Sequence, residues 1–141
     1  MAVVNRQNAK DFFFEPSEQA DRRAREVIGA GIEVHRHLGP GFLERVYEQA
    51  LARELRHREI PFKQQLPVGV TYKGALVGEA RVDFVVDDCL IVEVKAVEML
   101  APIHTAQVIS YLRATELHLG LLLNFNVPLL PQGMKRVVHS H

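Results

Sequence analysis

Ala80-Arg81-Val82-Asp83-Phe84-Val85-Val86, then Asp87-Asp88-Cys89, then Leu90-Ile91-Val92-Glu93-Val94-Lys95-Ala96: two β-branched runs meet at a short polar interruption. The pattern predicts strands over Leu76–Val86 and Leu90–Val97 joined as a hairpin. Asp83, Glu93 and Lys95 break runs that otherwise read as buried strand. Glu93 and Lys95 are two apart and share a sheet face. Asp83 joins that face if residue 83 pairs with residue 93, which requires a three-residue loop, Asp87-Asp88-Cys89. A two-residue loop would pair 83 with 92 and turn Asp83 to the opposite face.

Upstream of the hairpin the chain reads as helical. Residues 1–16 read as a loose leader in which Phe12-Phe13-Phe14 is apolar enough to pack, and 17–141 is expected to be one domain. Ser17 can cap a helix running to about Leu38, with Val27, Ile28, Ile32 and Val34 buried. Gly29 and Gly31 weaken that helix or admit a close neighbour. Gly39-Pro40-Gly41 breaks the chain, and a second helix covers about Phe42 to Arg58, with Leu43, Val46, Tyr47, Ala50, Leu51 and Leu55 at helical spacing. Phe62 to Tyr72 is a strand interrupted at Pro67, and Tyr72-Lys73-Gly74 a turn. Downstream, Pro102 opens a helix over His104 to about Glu116, Leu119–Phe125 is a buried strand, and Lys135–His139 a last strand. The order α-α-β-β-β-α-β-β implies an α/β fold, a mixed central sheet flanked by helices.

Composition narrows the class. Among the 141 residues, 17 basic and 17 acidic side chains balance, which excludes a broadly basic nucleic-acid coat. A lone cysteine, Cys89, excludes an intramolecular disulfide and a cysteine-built zinc site and fits a reducing, cytoplasmic setting. No apolar stretch is long enough to span a bilayer, so no membrane partner is expected.

Two carboxylates and an ammonium in apolar strands are costly unless paired or metal-bound. Asp and Glu on one face make a hard-oxygen site suited to Mg²⁺ or Mn²⁺. The competing reading is an internal salt bridge from Lys95 to Asp83 or Glu93. On a helical wheel Glu44 falls between Leu51 and Leu55 inside the apolar stripe, with Glu48 at its margin. A capping role, with Gly41 at the N-cap and Glu44 at N3, is the alternative for Glu44. Tyr47 reads as core. Arg22, Arg23, Arg25, Arg53, Arg56 and Arg58 are interleaved with acids and read as a salt-bridged solvent face. His35, His37, His139 and His141 read as solvated or terminal.

Asp83, nine intervening residues and Glu93-Val94-Lys95 resemble the D-(x)n-(D/E)-x-K signature of the PD-(D/E)xK nuclease superfamily, with Val82 in place of its proline. Gly41-Phe42-Leu43-Glu44-Arg45-Val46-Tyr47 is similar to the pattern of that superfamily's GxxExxY family. Gln107-Val108-Ile109-Ser110-Tyr111 resembles the Q-x-x-x-Y motif of its RecB-like and lambda-exonuclease-like members. The resemblance spans about Val27 to Val138 and implies a restriction-endonuclease-like fold and metal-dependent hydrolysis of DNA. On it, Asp83, Glu93 and the Val94 carbonyl would hold Mg²⁺ or Mn²⁺ and Lys95 would position or activate water. Glu44 would be the helix acid, coordinating a second metal or its water, with Glu48 the weaker candidate. Gln107 and Tyr111 would orient substrate. A non-catalytic binding or assembly module that keeps the fold is the rival expectation. A homo-oligomer or partner that supplies a basic groove is the third.

Overall fold

A computed structural model describes residues 16–141. The expected leader and its Phe12-Phe13-Phe14 lie outside the described residues. Among those described are helices α1 (Glu18–Leu38) and α2 (Glu44–His57), strands β1 (Phe62–Tyr72), β2 (Ala75–Val86) and β3 (Leu90–Lys95), helix α3 (Pro102–Thr115), and strands β4 (Leu119–Asn124) and β5 (Met134–Val138). A 3₁₀ turn, Leu130–Gly133, precedes β5. The order is α-α-β-β-β-α-β-β, as the sequence predicts. The sheet order is β1-β2-β3-β4-β5, antiparallel except for the parallel β3–β4 pair that α3 bridges. No described helix is long and apolar enough to cross a membrane.

Local chemistry accounts for the ends of the elements. Ser17 Oγ accepts from the Ala20 N–H at 3.1 Å and caps α1, and Gly39, at φ +68°, closes it. Pro102 occupies the first turn of α3, where its missing N–H costs nothing, and His104 Nδ1 accepts from the Ala101 N–H. β1 runs unbroken through Pro67 because it is an edge strand, which tolerates a missing donor.

The sheet carries a core on each face. Phe84, Val86, Leu90, Val92, Val94, Leu121 and Leu123 pack against α1 and α2. Val82, Val85, Ile91, Leu122 and Val137 pack against Val108 and Leu112 of α3. On α1 the buried positions include Ala20, Ala24, Val27, Ala30 and Val34, whereas Ile32, expected inside, is 36% exposed. Small residues let α1 lie close to its neighbours. A Cβ on Gly31 would sit 3.0 Å from Leu130 Cδ2, so close approach is the reading of that glycine that holds. His35 is also buried rather than solvated, and its Nε2 meets the Val127 carbonyl at 2.8 Å.

Tyr47 is fully buried and stacked on Phe125 with ring centroids 4.7 Å apart. Its hydroxyl donates to the Gly39 carbonyl at 2.6 Å and accepts from the Phe42 N–H at 3.1 Å, tying the α1–α2 loop to the core. Tyr47→Phe is expected to cost about 0.5–1.5 kcal/mol by deleting the hydroxyl's hydrogen bonds to this half-exposed loop. Thermal unfolding checks this, and an unchanged melting temperature would contradict the tie.

Candidate active site

The β2–β3 hairpin has the three-residue loop, with Val86 opposite Leu90 and Phe84 opposite Val92. Asp87 and Asp88 both take positive φ in that loop, a conformation aspartate tolerates. Arg23 and Gln19 of α1 hold the Asp87 carboxylate.

The next step of this register would set Asp83 against Glu93, but the ladder ends at Phe84–Val92. Two carboxylates take its place. Asp83 Oδ2 accepts from the Val94 N–H at 2.9 Å, and Glu93 Oε2 accepts from the Asp83 N–H at 2.7 Å. Each backbone donor freed by the opening is thus satisfied by an acid. β1 breaks its alternation at the same level. Phe62 packs on the α1–α2 side and Gln64 reaches α2, whereas Leu66 and Val68 pack on the α3 side, the reversal falling at Gln65. β2 reverses likewise between Val82 and Phe84. Asp83 therefore sits at the break, between the two faces.

Lys95 Nζ donates to Gln107 Oε1 on α3 at 2.9 Å. Among the described residues it forms no ion pair with Asp83 or Glu93, so the internal salt bridge is not what the fold builds. Glu93 is 2% exposed and Asp83 9%. Burial pushes the Glu93 carboxyl up to about 8, reinforced by the charge of Asp83. Burial likewise raises Asp83 to about 6, opposed by the Val94 N–H and reinforced by Glu48 and Glu44. The Tyr111 hydroxyl is raised by burial and by the charges of Glu93 and Asp83, so Tyr111 shares this environment.

The α2 acids divide differently from expectation. Glu44 is exposed and is the first residue of α2, whose N-cap is Leu43, so neither burial in the apolar stripe nor capping from Gly41 describes it. Its charge still acts on Asp83 and Glu93. Glu48 is buried, at 8% exposure, and its Oε2 accepts from Gln64 Nε2 at 2.8 Å and Gln65 Nε2 at 2.9 Å. Gln65 Nε2 also reaches Asp83 Oδ1 at 3.1 Å. The two glutamines are the part of the site that sequence reasoning missed. The available signal was a pair of adjacent amides in a strand otherwise heading for the core.

Comparison with protein families finds that a model of the PD-(D/E)XK nuclease superfamily matches residues 21–137. The chain belongs to this superfamily. Comparison with curated proteins and with solved structures returned no match. The match covers the acids of α2, Asp83, Glu93, Lys95, Gln107 and Tyr111. Nucleases of the PD-(D/E)XK superfamily act on nucleic acid and generally use divalent metal ions.

Whether this site suits such an ion is a question of donors. Among the described residues no group of three His, Cys, Asp or Glu side chains converges closely enough to hold an ion by itself. Mg²⁺ rarely needs that, since it is usually held by one or two carboxylates with water and phosphate completing the shell. Asp83 and Glu93 supply hard oxygens of the right kind, and burial together with nearby acidic charge drives both carboxyls toward the neutral form, which a bound cation would reverse. The donor set fits.

Proposed function

We propose that this protein is a metal-dependent nuclease that hydrolyses phosphodiester bonds of DNA, and that it belongs to the GxxExxY branch through Gly41, Glu44 and Tyr47. The observation that carries the reading is the opening between β2 and β3. There two buried acids replace the ladder, with a lysine beside them that α3 holds off from both.

Asp83 and Glu93, with the Val94 carbonyl, would hold Mg²⁺ or Mn²⁺. Bound there, the ion supplies Lewis acidity toward a phosphoryl oxygen and a water of lowered pKa. Lys95, oriented by Gln107, donates an ammonium N–H hydrogen bond to the attacking water or to a phosphoryl oxygen. The water oxygen would bond to phosphorus, giving up a proton to solvent, as the bond from phosphorus to the leaving sugar oxygen breaks and that oxygen takes up a proton. Glu44, exposed at the start of α2, would act on a second metal or a metal-bound water. Gln107 and Tyr111 orient the substrate strand. The same reading takes residues 17–141 as one domain and the setting as cytoplasmic.

The rival reading, a non-catalytic assembly module, draws support from the neutral composition. It is weakened by the absence of an ion pair closing Lys95 onto Asp83. Purified protein is expected to cut DNA in Mg²⁺ or Mn²⁺ and to stop when the metal is chelated. Metal-independent cutting, or none on DNA of any form, would overturn the proposal.

A further inference from the structure

We infer that Gln65 is a positioning residue of this site, its side-chain amide fastening Asp83 of the sheet to Glu48 of α2 from a left-handed backbone. The inference rests on the hydrolytic reading above and extends it to a residue outside the D-(x)n-(D/E)-x-K, helix-acid and Q-x-x-x-Y positions.

Gln65 has φ +53° inside a strand. The other described non-glycine residues of positive φ, Glu59, Lys73, Asp87, Asp88 and Glu116, all lie in turns or at a helix end. A glutamine is held this way only where the surroundings over-determine it. The surroundings here are specific. In a regular strand, successive side chains point to opposite faces, so Gln64 and Gln65 could not both reach one acceptor on α2. Yet both amides meet Glu48 Oε2, at 2.8 and 2.9 Å. The left-handed residue is what brings the second one round. Its amide carries two hydrogens, and its two acceptors are Glu48 Oε2 and Asp83 Oδ1. A neutral donor thus stands between two like-charged groups and sets the angle of the Asp83 carboxylate. Arg81 Nη1 reaches the Gln65 carbonyl at 3.2 Å and steadies the turned peptide.

Glycine adopts φ +53° without strain, so Gln65→Gly removes the amide and leaves the backbone at ease. Gln65→Asn also tolerates the left-handed region, but its amide is one methylene too short to bridge both acids. For both variants the melting temperature in chelator is expected to stay within a few degrees of the parent protein. Mn²⁺ affinity by titration calorimetry is expected to fall about 10- to 100-fold, the usual loss when a group that orients a ligand is removed. A lower melting temperature with unchanged Mn²⁺ affinity would make Gln65 merely structural and overturn the inference alone. Absence of Mn²⁺ binding by the parent protein would overturn the hydrolytic reading and the inference with it.

Discussion

Glu93→Gln is expected to raise thermal stability in chelator while abolishing DNA cleavage and Mn²⁺ binding. Glutamine is isosteric, and its carbonyl oxygen can accept the Asp83 N–H that Glu93 accepts now at 2.7 Å. What the substitution deletes is a charge at a site 2% exposed, next to another acid. The sign follows from linkage. Glu93 titrates at about 8 in the fold against 4.5 when free, and Asp83 at about 6 against 3.8. Above both folded values the acids are charged in folded and unfolded chains alike, and their burial cost is fully present. As pH falls through those values, the folded state takes up protons that the unfolded state does not, so metal-free stability rises. The gain ends below the free values. The parent protein in chelator should therefore melt higher near about pH 5 than near about pH 9, and Glu93→Gln should flatten that dependence. Mn²⁺ affinity should drop by more than the roughly 10- to 100-fold typical of groups that only orient a ligand. Unchanged Mn²⁺ affinity would remove Glu93 from the ligand set. A melting temperature for Glu93→Gln below that of the parent protein at the alkaline end would contradict the burial cost.

Lys95→Ala should separate binding from chemistry. The Lys95 side chain is half-buried and its ammonium has one hydrogen bond, to Gln107. Losing it should cost no more than about 1–1.5 kcal/mol of stability. Asp83 and Glu93 remain, so Mn²⁺ binding should persist. Cleavage should fall by about 10²- to 10⁴-fold, the range for a positioned proton-transfer group or a single transition-state donor. Loss of Mn²⁺ binding together with cleavage would show Lys95 to be part of the scaffold rather than of the chemistry.

Much of this architecture is legible from residue patterns. Ser17 and Pro102 mark helix starts because capping and first-turn chemistry are local. The hairpin is legible as two strands, but its sequence allows a two- or a three-residue loop, and only a shared site for Asp83, Glu93 and Lys95 favours the three-residue loop that the fold has. The reading fails where burial depends on position along an element rather than angle around it. A helical wheel puts Glu44 in the apolar stripe of α2, but Glu44 is the helix's first residue and lies beyond the packed surface. Glu48, one turn further in, is covered. Ile32 and His35 exchange roles on α1 because Ala24, Ala30 and Gly31 draw the helix against its neighbours along one narrow line. Gln65 escaped notice for a different reason. Period-two reasoning assumes an uninterrupted strand, and the reversal of faces at Gln65 and Asp83 is set by tertiary contacts with α2 and β3.

The most direct test of the central claim is DNA cleavage in Mg²⁺ by the parent protein and Lys95→Ala purified in parallel, with a chelated control for each. The parent protein should cut, should stop with chelator, and Lys95→Ala should cut little or not at all. Equal cutting by the two proteins would contradict the assignment of hydrolysis to the opening between β2 and β3.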